Sequence, residues 1–341
     1  MEPLSRADNK KERKQLNTLS REESIQLINR WGSERKTFVF LISFEGEENL
    51  VMDPQEAAEH GFYLHFPACS NHRFPVRPLT APRLIKHPIS PAAYRDAYNF
   101  VQEQIHYGNS FLVNLTFPTE IGTDLQLRDI FASSRAPFRL FLDKRLVVFS
   151  PERFIRIQDN FIHAHPMKGT MDASIPGAFH LLSSDPKEDA EHHSIVDLIR
   201  NDLSMVAKEV RVRRFKYIEK ISTHQGDLLQ MSSEIRGQLP PDHHLRLGDI
   251  LFRLLPAGSI CGAPKQKTLQ IIRQAEKGPR GYYTGIFGYF DGRVLDSAVA
   301  IRYMEKFNDK LLFRSGGGIT SQSVCQKEYE ELLNKVYVPL Y

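Results

Sequence analysis

Cysteine is scarce in this chain of 341 residues; only Cys69, Cys261 and Cys325 occur. Three thiols cannot build a disulfide framework, and no C-x-x-C pair offers a zinc clamp. A reducing compartment, the cytoplasm, is therefore expected. No run approaches the roughly 18 apolar residues that span a bilayer, so no membrane partner is expected. The stretch from Met1 to Arg21 is rich in Lys, Arg, Glu and Asn and has no apolar centre, unlike a secretory signal. Excess charge is also lacking: 45 basic against 41 acidic residues leave +4, too little to suggest a nucleic-acid partner. There is no internal repeat and no low-complexity linker. With 41% hydrophobic and 25% charged residues, the composition is that of an ordinary globular protein and excludes a disordered or fibrous chain.

The hydrophobic pattern predicts mixed elements. An amphipathic helix is expected from Glu23 to Trp31, stopped by Gly32. Thr37 to Phe44 has the length and β-branched or aromatic content of a buried strand. Residues 45–90 look irregular. Ser90-Pro91 is a helix-start signature, followed by Tyr94, Ala97, Tyr98, Val101 and Ile105 at helical spacing. Strands are expected at 111–117, 145–149, 154–157, 285–290, 298–303 and 311–315, with Gly316-Gly-Gly318 breaking the last. Further helices are expected from Asp185-Pro186, over 265–276 and over 326–336. Strands and helices do not alternate regularly as in a doubly wound sheet. One large α+β domain over 36–341 is expected, with residues 1–35 as an appendage.

Several groups could carry chemistry. Glu328 and Glu331 stand three apart, as do Glu188 and Glu191, so each pair shares a helix face, and Lys335 shares the face of the first. Carboxylates from two helices could meet around Mg2+, a hard ion that prefers oxygen ligands. They could equally be solvated faces carrying an intrahelical ion pair. The turn Pro256–Pro264 leads into a helix, and it and Gly316–Gly318 could hold an anion on backbone N–H groups or serve only as tight turns. Neither matches a Walker loop or a dinucleotide fingerprint. Lys168 lies in a turn between apolar segments, either as a surface lysine or as a nucleophile whose pKa would have to fall by about 3 units. Arg302 ends an apolar strand, and a charge there is usually paired with an anion of the protein or of a ligand. The doublets His192-His193 and His243-His244 point about 100° apart on a helix and make poor metal clamps. Cys261 has no histidine nearby in sequence to activate it.

Taken in order, the segments resemble the chorismate-utilising enzymes, the family of anthranilate synthase component I and aminodeoxychorismate synthase component I. The resemblance rests on Ser150-Pro-Glu-Arg-Phe154, Pro166-Met-Lys-Gly-Thr170, Asp185-Pro-Lys-Glu-Asp-Ala-Glu-His192 and Ile195-Val-Asp-Leu-Ile-Arg-Asn-Asp202. It continues through Gly258-Ser-Ile-Cys-Gly-Ala-Pro-Lys265, Tyr283-Thr-Gly285, Ala300-Ile-Arg302, Gly316-Gly-Gly-Ile319 and Glu328-Tyr-Glu-Glu331, all within residues 90–337. It implies an α+β fold of two large antiparallel β-sheets, with helices packed outside and the active site between the sheets. It also implies chorismate as substrate and Mg2+ as cofactor, held by Glu191, Glu328 and Glu331 against the ring carboxylate. Tyr283, Arg302 and the backbone at Gly316 and Gly317 would meet the enolpyruvyl carboxylate. Lys335 and the turn of Gly258, Ser259 and Gly262 would hold the ring carboxylate, and Gly169 and Thr170 would line the site. A dianion needs such a set of cation, arginine and oriented N–H groups.

Branches of the family differ in nucleophile. Lys168, and the absence of a lysine at Leu112, point to the aminodeoxychorismate branch, a transaminase-type amidotransferase activity. There Lys168 would attack C2 while Glu152 protonates the departing C4 hydroxyl, and ammonia would then displace the lysine at C4. The product would feed 4-aminobenzoate and folate synthesis. Ammonia would come from a separate glutamine amidotransferase subunit, since no cysteine lies in a glycine-flanked nucleophile turn. Anthranilate or isochorismate synthesis is the alternative within the family, and a non-catalytic chorismate-binding protein the alternative outside it. Leu112, Gln230, Cys261, Ala257 and Gln322 depart from the family pattern and bear on substrate orientation.

Overall fold

A computed structural model describes residues 16–76, 84–184, 186–223 and 226–338, with the backbone alone at 168–170, 186–188, 190–191, 221–223, 226 and 228. Among the described residues the chain forms two nine-stranded antiparallel sheets. The first runs Met167–Asp172, Gly226–Gln238, Phe161–Ala164, Arg153–Gln158, Leu295–Val299, Ile286–Phe290, Phe38–Ile42, Asn49–Met52, with Lys208–Thr223 along the free edge of Gly226–Gln238. The second runs Gly262–Ala263, Leu112–Gly122, Lys310–Ile319, Tyr303–Phe307, Leu146–Ser150, Phe138–Leu142, Phe62–Phe66, Cys69–Ser70, with Ile85–His87 beside Leu112–Gly122.

Strand Phe38–Ile42 explains the layering. Successive side chains point to opposite faces. Phe38, Phe40 and Ile42 face helices Arg21–Ser33, Pro186–Ser204 and Leu247–Leu254, while Val39 and Leu41 face Leu64, Leu140 and Val148 of the second sheet. Both faces are dry, so the strand reads as a continuous apolar run rather than an alternation. Helices Pro91–His106, Lys265–Glu276 and Cys325–Asn334 cover one end of the second sheet through Val101, Ile271 and Leu332. Helix Leu127–Ser133 covers its outer face at Phe131 and Phe141.

Local signals set the boundaries. Ser90 caps helix Pro91–His106 by accepting the N–H of Ala93, with Pro91 in the first turn where no N–H is needed. Ser20 and Glu23 form a capping box on helix Arg21–Ser33. That helix lies in the segment expected as an appendage. Its Ile28 is fully buried, and it packs against Leu247–Leu254.

Three expectations need correction. Residues 45–90 hold strands Asn49–Met52 and Phe62–Phe66 and helix Pro54–Glu59. The strand expected over 298–303 is two strands in different sheets, because Arg302 takes a left-handed φ of 53° between them. Gly316–Gly318 do not break a strand; they continue Lys310–Ile319, paired with Thr116, Leu115 and Asn114. A Cβ on Gly316 would stand 2.3 Å from the Leu115 carbonyl, so glycine here permits close approach.

Candidate functional site

A cleft of about 730 Å³ opens between the sheets. It is lined by Glu152, Ser259, Tyr283, Arg302, Gly316, Gly317, Glu328, Glu331 and Lys335, all singled out from the sequence. Pro166 and Met167, at the start of the strand bearing Lys168, also line it. The side chains of Lys168, Thr170 and Glu191 and the surroundings of Gly169 lie outside the described residues. The backbone of Lys168 pairs with Met231 and that of Thr170 with Gln230, with a register shift between them.

The acidic corner is built by one helix and one bare strand. Glu328 and Glu331 are a turn apart on Cys325–Asn334 and face Gly317. Glu328 Oε2 and Glu331 Oε1 each lie 3.4 Å from the place a Cβ on Gly317 would occupy, so any larger residue would crowd both carboxylates. Glu328 is buried, whereas the Glu331 side chain is half exposed. Lys335 Nζ meets Glu331 Oε1 at 2.6 Å and donates to the Gly316 carbonyl at 2.8 Å. Two hard oxygen donors on one point, backed by an ammonium, fit a small divalent cation and an anionic ligand.

The opposite corner holds a carboxyl and a hydroxyl. Glu152 follows Ser150-Pro151 at the end of strand Leu146–Ser150, and its N–H donates to Ser150 Oγ at 3.1 Å. Ser259 Oγ donates to Glu152 Oε1 at 2.6 Å. Ser259 lies in the single helical turn Gly258–Cys261, which the sequence presents only as a glycine-rich loop. Gly258 does not line the main cleft; it borders a smaller void behind Glu152, with Asp202 and His165. Gly262 does not line it either. It has φ 123°, and a Cβ would fall 1.8 Å from the Leu112 carbonyl, so it joins the turn to strand Leu112–Gly122.

Arg302 Nη1 donates to the Lys335 carbonyl at 3.0 Å, and its guanidinium stands over the Tyr337 ring. Tyr283 is buried, and burial pushes its phenol up to about 12 against the pull of Arg280. It is thus a neutral hydrogen-bond donor at ordinary pH. Cys261 is fully buried, and burial pushes its thiol up to about 11, so it is no nucleophile. Of the doublet at 192–193, His192 is buried with Nε2 2.7 Å from Ser233 Oγ, while His193 faces solvent.

Arg280, Asp202, Lys265 and Asn114 had no role assigned from the sequence. Arg280 sits in Gly278-Pro-Arg-Gly281, which reads as a surface turn, yet it is 1% exposed. Its guanidinium donates to the carbonyls of Ile260 at 2.9 Å and Asn114 at 2.6 Å, both residues of the cleft wall. Lys265 Nζ meets Asp202 Oδ2 at 2.8 Å, and Asp202 accepts the Gly258 N–H. Asn114, a polar residue within an apolar strand, was the one visible signal.

The cleft thus brings paired carboxylates, an arginine and a lysine together beside the backbone of Gly316–Gly318. The family model described as chorismate binding enzyme matches residues 53–341, and the chain belongs to that family. It is 50% identical over 317 residues to an uncharacterised PabA-like protein of Pasteurella multocida, covering 93% of this chain and 98% of that one. It is 34% identical over 264 residues to aminodeoxychorismate synthase component 1 of Klebsiella aerogenes, covering 73% of this chain and 57% of that protein. The solved anthranilate synthase component I of Streptococcus pneumoniae TIGR4 superposes with a TM-score of 0.64 at 27% identity, over 76% of this chain and 59% of that one. The two-sheet architecture implied by the sequence motifs is thus the fold. Among the described residues no helix is long and apolar enough to cross a membrane.

Proposed function

We propose that this chain aminates chorismate at C4 to give 4-amino-4-deoxychorismate, using ammonia delivered by a separate glutamine amidotransferase subunit. Relatives of two branches resemble the chain, so likeness alone does not choose between C2 and C4. The observation that carries the choice is a lysine at position 168 on a strand whose Pro166 and Met167 line the cleft, combined with leucine at 112 on the facing wall.

On this reading the neutral Lys168 amine bonds to C2, both ring double bonds shift by one position toward C4, and the C4 hydroxyl, protonated by Glu152, leaves as water. Ammonia then bonds to C4, and the C2–N bond to lysine breaks. Ser259, hydrogen-bonded to Glu152, orients the acid. Arg302 and Tyr283 bind the enolpyruvyl carboxylate as charged and neutral donors. Glu191, Glu328 and Glu331 would hold Mg2+, which supplies positive charge against the ring carboxylate.

The test is product identity. The purified chain is incubated with chorismate, Mg2+ and an ammonium salt, then with an aminodeoxychorismate lyase. Lyase-dependent 4-aminobenzoate is expected. Anthranilate, or isochorismate formed without ammonia, would overturn the assignment, and chorismate binding with no product would make the chain a binding protein. The Lys168→Ala variant should lose the 4-amino product; full C4 amination by it would exclude the covalent step.

A further inference from the structure

We infer that Arg314 is a substrate-binding residue, a second guanidinium for the enolpyruvyl carboxylate beside Arg302. In strand Lys310–Ile319, Phe313 is buried with Phe141 and Val147 on the outer face of the second sheet. Alternation therefore turns Arg314 to the inner face, opposite Tyr303 of the neighbouring strand, and it lines the cleft. Its side chain is 19% exposed. Arg314 Nε donates to Glu305 Oε1 at 2.6 Å, and the other Glu305 oxygen accepts the Tyr303 hydroxyl at 2.9 Å. The carboxylate thus holds the guanidinium through Nε alone. Neither Nη group has a hydrogen-bond partner among the described residues, and neither is shielded from solvent. Four N–H donors on a largely buried arginine are left for a ligand.

The surroundings of those donors name the ligand group. Arg314 pairs in register with Tyr303, the residue after Arg302. The Tyr303 ring lies 5.7 Å from that of Tyr283. Burial raises the Tyr283 phenol, while Arg280, Arg302 and Arg314 all pull it down, so both cleft arginines act on this one hydroxyl. The inference rests on the reading of Tyr283 and Arg302 as the binding point of the enolpyruvyl carboxylate. Arg302 already spends Nη1 on the Lys335 carbonyl. A carboxylate has two oxygens and about four acceptor sites, room for a guanidinium on each side. Glu305 balances the charge of Arg314 and, tied to Tyr303, fixes its fork. A planar fork can hold one carboxylate at Nε and a second at its Nη end.

The test is a binding cycle on the full chain with Mg2+ and without ammonia, read by titration calorimetry. The ligands are chorismate and the ring diol that carries a hydroxyl at C3 in place of the enolpyruvyl ether; the proteins are the wild type, Arg314→Met and Arg314→Lys. Arg314→Met should weaken chorismate about tenfold or more and the diol by less than about twofold, as expected for a lost hydrogen bond between charged groups. Arg314→Lys keeps a cation beside Glu305 but not the fork, and should weaken chorismate about threefold or more with the same indifference to the diol. It carries the test if the methionine variant fails to fold. Equal losses for both ligands, the mark of a purely structural ion pair, or an unchanged affinity for chorismate would overturn the inference. Because binding needs no turnover, the cycle stays readable if the wild type forms no aminated product, an outcome that sinks the proposed reaction instead.

Discussion

Two ion pairs brace the Gly258–Cys261 turn from opposite ends, and they are built differently. The side chains of Arg280 and Glu276 are 1% and 6% exposed; those of Lys265 and Asp202 are 17% and 13% exposed. Arg280 uses all five of its N–H groups: Nε and one Nη2 hydrogen on Glu276, the others on Asn114, Ile260 and Thr284. Glu276 in turn accepts from the N–H and hydroxyl of Thr116. Burial opposes the charge of Arg280, but Glu276 outweighs it and holds the guanidinium above its ordinary value. At the other end, burial lifts the Asp202 carboxyl despite Lys265 and the Gly258 N–H. Lys265 spends one further donor, on the Leu254 carbonyl at 2.7 Å. A planar five-donor fork can join three segments at once, whereas an ammonium joins two. The first pair locks the wall of the cleft, and the second trims its edge.

Breaking the locked pair should have the largest effect. Arg280→Met leaves a buried carboxylate without its cation and two cleft carbonyls without that donor, and should lower folding stability by about 3–5 kcal/mol in urea unfolding. A cost near that of the second pair would void the contrast. Asp202→Asn keeps an acceptor for Lys265 and Gly258, and should cost about 1–3 kcal/mol by the same measurement. Ser259→Ala removes the hydroxyl on Glu152 without touching either pair. It should lower kcat/KM about tenfold, the worth of one hydrogen bond to an acidic group, with the unfolding midpoint nearly unchanged.

The smallest effect is one of slope. Burial, and then Arg153, pushes His165 down to about 4 from 6.5. Its folded-state value lies below its unfolded one, so between pH 6.5 and about 4 the unfolded chain binds more protons and stability falls as pH falls. His165→Gln should flatten the fall in urea midpoint across that window, whereas Arg280→Met should shift the whole curve. An unchanged slope in His165→Gln would place the acid sensitivity elsewhere, for instance at His65 and His72, which burial also pushes down to about 4.

Much of this was legible from the residues, for identifiable reasons. Helix Lys265–Glu276 matches its apolar spacing because Thr268, Ile271, Ile272 and Ala275 form its buried stripe. Glu328 and Glu331 could be paired from helical spacing alone. Gly316–Gly318 looked like a break because their role lies in the neighbouring strand and in the carboxylates across from Gly317, neither of which is local in sequence. Residues 45–90 looked irregular because their strands are 2–5 residues long, too short to show a period. Arg280 could not be found, since a buried arginine is specified by carbonyls on two distant segments.

The left-handed residue Arg302 lies where the chain leaves Leu295–Val299 in one sheet to enter Tyr303–Phe307 in the other. Its carbonyl already accepts the N–H of Phe149, and its guanidinium donates to the Lys335 carbonyl beside the carboxylate helix. An anion gripped by that guanidinium and by Tyr283 would act as a rivet across the seam between two slabs. Occupancy of the cleft should then be felt by the molecule as a whole, as a rise in melting temperature that grows with the logarithm of ligand concentration.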